Sequence, residues 1–507
     1  MHNATNAPGS KPLSSPALNL SWGEQPSPWL LNYACAINGF ATRPPGKDFV
    51  YCEIGSAAGS DLLFLAAANP EGCFFGIQTD GLSLAPAEAL RTTAGVGNCR
   101  FYERPSAELG SLDIPPADFL VLKGVLSRED MAARHYLLGF AAQHLKAGGV
   151  LLCSYRTPHA WAFWEPVIHF LRAAAAAPGD RQENIQQALR ELQALREAGA
   201  ALFQISPLME AILDSIGAFD PLIFDQAFLQ MPSRTLYFDA ACSEIEGIGL
   251  GYAGSLPLAT NYPQTCLPAN LKERYASLPG LRLRESWKDL VRMPFFRQDL
   301  FTSAPRADRP ELPTETILGS HLPRGQFQFA FDLPGAAAVR LDGPIFPGLA
   351  DLLAENALAL SAILSAPSLQ AFPATEIIAS LAWMTAMEQV RPFAAEVRAP
   401  GADPSFRLSR FNTALLQRQL CGPQGDIALA SWTLGNGLAL NRKEALALLA
   451  LSEAGPEQAE AWAGRWLVNH ALPGQGTPDE PSLGQILQQA RANPRSLAAL
   501  GLSEKES

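Results

Sequence analysis

The sequence is poor in charge and contains no long apolar segment. Charged residues make up 17% of its 507 residues, against roughly 25% in a typical soluble protein. No apolar run reaches the roughly 18 residues of a membrane span, so none is expected. The first 26 residues lack the basic start and apolar core of a signal peptide. We therefore expect a flexible N-terminal arm on a soluble, cytoplasmic protein.

Basic stripes and metal-ligand spacings are also missing. The formal net charge of −11 and the absence of any Lys/Arg run argue against nucleic acid as a partner. The eight cysteines lie far apart and form no CxxC pair, which predicts reduced, buried thiols. The seven histidines show no zinc-ligand spacing, so no metal site is expected.

What the sequence does contain is a regular alternation of strand and helix signals over residues 49–175. The apolar strand candidates are FVYCEIG, CFFGI, CRFYE, DFLVLKGV and VLLCSYR. A helix is predicted to begin at Ser127, which has capping character and acids in the following turn. Near-continuous apolar strands separated by helices predict a parallel sheet over residues 49–156, covered on both faces. Such a Rossmann-like, doubly wound α/β domain binds its ligand beyond the carboxyl ends of the strands.

The later segments predict further domains. Asp180 and Glu183 form a capping box at the start of a surface helix, and a linker rich in proline and charge covers 302–315. Beyond it, strand and helix signals are compatible with a winged-helix unit. Because the arginines there are scattered, we expect this unit to pack against the rest of the protein and not to bind DNA. The predicted division is an arm over 1–26, an α/β domain over 27–205, a mostly helical domain over 206–303, and a winged-helix-like, helical domain over 311–507.

The turn after the first strand indicates a nucleotide-like ligand. A strand that ends in an acid and a small-residue turn that opens a helix bring backbone N–H groups close to a ligand. The dinucleotide fingerprint GxGxxG has no match here. Glu53, Gly55, Ala57 and Gly59 instead resemble the acid-x-Gly-x-Gly-x-Gly turn of class I S-adenosylmethionine methyltransferases, with alanine in the middle place.

The resemblance extends from Ser27 to about Ala454. SPWLLNYACAINGF, ADFLVLKGVLSRED, TLYFDAACSEIEGIGLGYAGSLPLA and RESWKDLVRMPFFRQDLF are similar to successive blocks of bacterial methyltransferases that carry a methyltransferase regulatory domain. That group includes protein-lysine methyltransferases. The resemblance implies S-adenosylmethionine as cofactor and a protein substrate. The residues that it places at the cofactor are Glu53, Gly55, Ser56, Ala57, Gly59, Gln78 and Lys123.

Departures from the family pattern are concentrated at these positions. Ala57 adds a methyl group where the backbone must approach the ligand. Gln78 stands where an aspartate accepts from the ribose hydroxyls, with Asp80 two residues on, and an amide loses the charge-assisted, two-oxygen acceptor. Lys123 and Arg156 replace histidine and asparagine, and their positive charge is unfavourable near a cationic sulfonium.

The implied function is transfer of a methyl group to a nucleophile, with a protein lysine amine as the implied acceptor. Alignment dominates such chemistry, and the sequence marks no catalytic residue. For Tyr155 and Trp161 beyond the fifth strand, wall packing is favoured over a direct role, and His159 is interpreted as a bystander. The alternative is a catalytically degenerate relative that keeps the fold as an interaction scaffold.

Overall fold

The computed structural model of the chain describes most of its length. The described residues are 26–55, 59–79, 83–205, 207–217, 224–230, 234–307, 312–333, 336–354, 356–397, 406–420, 427–470, 501–503 and 505. The predicted N-terminal arm up to residue 25 lies outside these ranges, as do Ser56, Ala57 and Asp80.

Seven strands form the central sheet in the order β3-β2-β1-β4-β5-β7-β6. They are β1 Val50–Ile54, β2 Cys73–Gln78, β3 Cys99–Glu103, β4 Ala117–Lys123, β5 Leu145–Arg156, β6 Gly251–Leu256 and β7 Phe296–Thr302. The first five strands are parallel, as predicted for residues 49–156. The order reverses at β1, so a ligand site is expected beyond its carboxyl end.

The last two strands of the sheet come from the segment that was predicted to be mostly helical. β7 runs antiparallel to both β5 and β6, so the segment over 206–303 extends the sheet of the first domain. Pairing between strands so distant in sequence leaves no local signal, because it depends on which edge of the sheet is available.

Helices cover both faces of the sheet. The ones used below are α1 Pro28–Ile37, α2 Ser60–Ala68, α3 Ala85–Ala94, α4 Val125–Arg128, α5 Met131–His144, α6 Pro158–Ala175, α7 Arg181–Glu197, α8 Ala201–Ile205, α9 Pro207–Gly217 and α10 Phe238–Glu246. Alternate residues of β4 enter two cores: Val121 packs in the core that contains α1 and α2, and Leu122 in the core of α5 and α10. This two-sided burial is what the continuous apolar strands predict.

The predicted helix start at Ser127 is wrong. α4 ends at Arg128, Glu129 is extended (φ −88°, ψ 153°), and α5 begins at Met131. The Asp130 side chain caps α5 by accepting from the Ala133 N–H at 2.9 Å. Serine and aspartate are both good N-caps, and the aspartate is the one that caps this helix.

Helices α6 to α9 pack around an aromatic core of their own, which contains Trp161, Trp164 and Phe228. The predicted capping box is confirmed in part, because the Asp180 side chain accepts from the Glu183 N–H at 2.9 Å at the start of α7. This helical group follows β5 directly and therefore stands at the carboxyl edge of the sheet.

The remaining described chain adds further helices and short strands. The helices are α11 Pro263–Cys266, α12 Lys272–Ser277, α13 Leu281–Arg292, α14 Ile345–Leu353, α15 Leu360–Leu364, α16 Ala374–Ala386, α17 Arg410–Gln419 and α18 Arg442–His470. The strands are β8 Ile317–Gly319, β9 Ala330–Phe331, β10 Val339–Arg340, β11 Ala357–Ala359, β12 Arg391–Pro392, β13 Ile427–Ser431 and β14 Asn436–Leu440. The winged-helix arrangement and the predicted domain boundaries stay predictions.

The β13–β14 hairpin is attached to the first two helices of the chain. Asn69, which ends α2, donates to the Gly435 carbonyl at 2.9 Å and accepts from the Trp29 indole N–H at 2.9 Å. A Cβ at Gly435 would lie 2.4 Å from the Trp29 ring. Only glycine permits this approach, so the C-terminal hairpin and α1 pack directly together.

Candidate functional site

The turn after β1 is built around two glycines in left-handed conformations. Gly55 has φ +90° and Gly59 has φ +75°, values that L side chains rarely adopt. A Cβ at Gly55 would lie 2.6 Å from the Lys123 carbonyl oxygen and 2.7 Å from an Arg128 guanidinium nitrogen. A Cβ at Gly59 would meet Ala87 of α3 at 2.9 Å. Both glycines are therefore required by close packing as well as by backbone conformation.

Glu53, Asp61 and Lys123 form an ionic cluster beside this turn. Glu53 is fully buried in β1, and the Lys123 ammonium forms an ion pair with Asp61 in the first turn of α2. Burial opposes the charge of Lys123, but the carboxylates of Glu53 and Asp61 outweigh it and raise the pKa of the lysine. Lys123 is thus a compensated cation, and its charge is directed at two carboxylates of the turn.

Glu129 crosses the end of the sheet from the β4 side to the β2 and β3 side. Its Oε1 atom accepts from the Thr79 hydroxyl at 2.7 Å and from the Ser106 hydroxyl at 3.1 Å. Thr79 directly follows β2, and Ser106 opens the 3₁₀ turn after β3. Three loops at the carboxyl edge of the sheet therefore converge on one carboxylate, which the sequence patterns did not mark.

Gln78 lies at the end of β2, where the family pattern places an aspartate. The residue is 1% exposed and stands opposite Glu103 of β3 in the strand register. The Glu103 carboxylate accepts from the Leu84 N–H at 2.9 Å, which ties the end of β3 to the start of α3. Gln78 is thus in the predicted location, in a buried setting.

The residues at the end of β5 and directly after it are mainly packing residues. Tyr155 is fully buried and donates to Asp299 of β7. The Arg156 guanidinium lies 4.4 Å from the centroid of the Trp161 ring, and burial lowers its pKa to about 10. The His159 ring contacts Tyr237 edge-on, 5.6 Å between centroids. Arg156 therefore belongs to the aromatic core of α6 to α9.

A cavity of about 390 Å³ opens at the same edge of the sheet, on the far side from β3. Its wall includes Ser27, Leu256, Gln298, Glu388, Arg391 and Asn436. In the sheet register, Lys123 of β4 pairs with Ser154, Ser154 with Gln298, and Gln298 with Leu256. At about 4.8 Å per strand, the cavity wall at Gln298 starts roughly 10 Å from Lys123.

A buried ionic network supports the added strands. Arg297 of β7 binds Asp289 at 2.6 Å, Asp299 at 2.8 Å and Glu285 at 2.9 Å. Glu285 also pairs with Lys288 at 2.6 Å. Glu285, Lys288 and Asp289 lie on α13, so the network holds that helix against the sheet beside the fully buried Tyr155.

Metal-ligand clusters and membrane-spanning helices are not found in the described part of the chain. No group of three or more His, Cys, Asp or Glu side chains there could hold a metal ion. No described helix is long and apolar enough to span a bilayer.

The chain is similar to a known family and to known proteins. The family model described as predicted methyltransferase regulatory domain matches residues 227–303. An uncharacterized protein of Synechocystis is 24% identical over 435 residues, which are 84% of each chain. The structure of PKMT2 from Rickettsia typhi aligns with a TM-score of 0.69 and 14% identity, over 93% of this chain and 97% of that one. PKMT2 was also solved in complex with AdoHcy, S-adenosylhomocysteine.

These comparisons confirm the predicted fold. The chain has a Rossmann-like methyltransferase fold with a seven-stranded, mainly parallel sheet. It also carries a methyltransferase regulatory domain, which supplies β6 and β7 of that sheet.

Proposed function

We propose that this chain, with its methyltransferase fold and regulatory domain, is an S-adenosylmethionine-dependent methyltransferase. The observation that carries the proposal is the convergence of polar groups from the loops after β1, β2, β3 and β4 at one edge of the sheet. The carboxylates of Glu53, Asp61 and Glu129 lie there with the Lys123 ammonium. This is the edge where doubly wound sheets bind their ligands.

The side chains present fit the chemistry of the cofactor. S-adenosylmethionine carries hydroxyl and amino donors, which suit the carboxylates of the edge. Glu53 and Asp61 outnumber the single positive charge of Lys123, so the cluster suits the α-amino group and the sulfonium of the cofactor. The repulsion of the sulfonium expected from Lys123 is reduced by these two carboxylates, since opposite charges at short range offset one another.

When bound, S-adenosylmethionine supplies an electrophilic methyl group. The protein has two tasks: it holds the acceptor in line with that methyl group, and it excludes water. Holding two reactants in the correct alignment can account for a large share of the rate enhancement of a bimolecular reaction. The cavity that begins at Gln298 gives an acceptor a path along the same edge. Its wall combines the apolar Leu256 with charged side chains of both signs, Glu388 and Arg391, and so suits an acceptor with an apolar stem and a polar end.

We further propose a protein lysine as the acceptor. The support is the fold shared with PKMT2, a protein-lysine methyltransferase, together with a cavity at the carboxyl edge of the sheet. Leu256, Glu388 and Asn436 come from distant parts of the chain, so the acceptor site is assembled by the whole protein.

Isothermal titration with S-adenosylhomocysteine tests the cofactor assignment. We expect saturable binding of one equivalent by the full-length protein, with adenosine as a weaker competitor. The acceptor is then tested with methyl-tritiated S-adenosylmethionine and a cell lysate as the source of proteins. We expect the label in methyllysine after acid hydrolysis.

The outcomes separate the candidate functions. Label in another residue would keep the methyltransferase and refute the lysine. Binding without any transfer would favour the interaction scaffold. Absence of S-adenosylhomocysteine binding would refute the cofactor assignment itself.

A further inference from the structure

The main-chain path of residues 125–130 fixes the direction of the Glu129 side chain. α4 ends at Arg128, the Glu129 N–H donates to the Val125 carbonyl at 2.9 Å, and Asp130 already caps α5. Glu129 and Asp130 are therefore the two extended residues between the helices, and Asp130 is already used as the cap. Its side chain reaches across the end of β1 to Thr79 and Ser106.

The Glu129 carboxylate is only half used by these contacts. Both hydroxyls donate to Oε1, and no hydrogen bond from another described residue reaches Oε2. Glu129 is half-buried, whereas Ser106 is 6% exposed. One oxygen thus anchors the side chain to buried structure, and the other can accept from a ligand. The nearby Glu103 carboxylate is engaged with the Leu84 N–H at 2.9 Å.

The position of Glu129 along the sheet edge indicates which part of a ligand it faces. The acceptor cavity lies at β7 and β6, Lys123 lies in the middle at β4, and Thr79 and Ser106 lie at β2 and β3. The sulfonium methyl of S-adenosylmethionine lies between a methionine end and an adenosine end, and it must point toward the acceptor. With the methionine end at the turn after β1, the adenosine end extends away from the cavity, and its adenine base lies over β2 and β3.

We propose that Glu129 is the base-recognition residue of this chain and that its Oε2 atom accepts a hydrogen bond from the 6-amino group of adenine. This inference rests on the proposed function, since it assumes that the edge binds an adenosine-containing cofactor. A carboxylate selects an exocyclic amine, which is a donor, over a hydrogen atom at the same carbon. A charged hydrogen bond of this kind contributes about tenfold to a hundredfold in affinity.

Titration calorimetry with two ligands tests the inference without any catalytic readout. The ligands are S-adenosylhomocysteine and its 6-deamino analogue, in which a hydrogen atom replaces the amino group. We expect the wild-type protein to prefer the amino compound by about tenfold or more. Glu129→Ala is expected to abolish this preference, and Glu129→Gln to reduce it to about threefold, because a neutral amide oxygen is a weaker acceptor.

Glu108→Ala is the matched control. Glu108 lies two residues after Ser106 in the same 3₁₀ turn, and its side chain is exposed, so this variant should keep the full wild-type preference. Thermal unfolding of each variant checks that the fold is intact. Since the measured quantity is a ratio of two affinities within one protein, a uniform loss of affinity does not affect it.

Three results would overturn the inference. The wild-type protein could bind both ligands equally, or Glu129→Ala could keep the preference for the amino compound. In either case the cofactor assignment survives, because S-adenosylhomocysteine still binds. Binding of neither ligand by the wild-type protein would remove the proposed function and, with it, this inference.

Discussion

At the scale of single residues, the edge of the sheet is shaped by close contacts of backbone and charge. The Lys123 carbonyl and the Arg128 guanidinium pack directly against Gly55, and the guanidinium donates to that carbonyl at 3.1 Å. A side chain at position 55 would have to displace both. The left-handed backbone conformation of Gly55 and its close contact with the Lys123 carbonyl are separate constraints. The loss of stability that each one causes on substitution can be measured separately.

Gly55→Ala is expected to lower the stability of the protein by about 3 kcal/mol or more, because a strained left-handed alanine is combined with a backbone contact at 2.6 Å. The measurement is the midpoint of thermal unfolding, together with titration of S-adenosylhomocysteine. We expect a lowered midpoint and lost or strongly weakened binding, since Lys123 and Arg128 must move.

Two glycines provide controls for this prediction. Gly124 also has a positive φ, +71°, but an added Cβ would meet nothing within 4 Å. Gly124→Ala should therefore cost only about 1 kcal/mol, from backbone strain alone. Gly110→Ala, with neither constraint, should change little. Equal losses for Gly55→Ala and Gly124→Ala would show that the contact is unimportant.

The family resemblance predicted cofactor-binding residues whose positions in the fold are now known, while their binding role stays a prediction. Glu53, Gly55, Gly59, Gln78 and Lys123 all lie at the carboxyl edge of the sheet or in its first turn. The partner of Lys123 was not predictable, because Asp61 belongs to the next helix and only the folded turn brings the two together. No sequence pattern marked Glu129 as a site residue, because the direction of its side chain depends on the break between α4 and α5.

At the scale of secondary-structure elements, α13 and β7 are joined by buried charge. Arg297 compensates Asp289, Asp299 and Glu285 in a region where all four side chains are almost completely buried. Burial of charge is costly unless each group is paired. The arrangement therefore makes Arg297 the residue on which the attachment of α13 depends.

Arg297→Met is expected to destabilise the protein by about 3–5 kcal/mol, because three buried carboxylates lose a shared partner. Arg282→Met, on α13, is the control. Arg282 is 39% exposed and pairs with Asp239 at 2.7 Å on the surface, so its loss should cost about 1 kcal/mol or less. Midpoints of thermal unfolding compare the two. Similar shifts would contradict the role of the network.

The elements themselves were predictable to different degrees. Strands β1, β2 and β4 carry nearly continuous apolar runs, and β1 to β4 were predicted near their actual bounds, whereas β5 begins five residues earlier than predicted. β6 and β7 include Gly254, Arg297 and Asp299, residues that local patterns do not assign to a buried strand. Their place in the sheet follows from pairing with β5 and from the ionic network, which are tertiary interactions.

At the scale of the whole molecule, segments that are distant in sequence contribute to the same sheet and pack on the same helices. The regulatory segment supplies two strands of the central sheet, and the β13–β14 hairpin covers α2 through Asn69 and Gly435. The later segments therefore stabilise the α/β domain as well as shape access to it.

A truncated chain ending at Asp180 is expected to lose both supports and to aggregate, because it exposes the edge of β5. A chain ending at Ala307 retains β6 and β7 and should be more soluble, while still lacking the hairpin. Size-exclusion chromatography and thermal unfolding of both chains check this. If the shorter chain were monomeric, cooperative in unfolding and as active as full-length protein, the later segments would be dispensable.

The insertion of β7 between β5 and β6 has a consequence for synthesis. About 140 residues separate the end of β5 from the start of β7, and at about 5–20 residues per second a ribosome needs roughly 7–30 seconds to produce them. Throughout that interval the nascent chain presents the unpaired edge of β5. Helices α6 to α9, which emerge first, can assemble their aromatic core before the sheet is complete. The order of translation therefore allows helices α6 to α9 to fold before β7 pairs with the edge of β5.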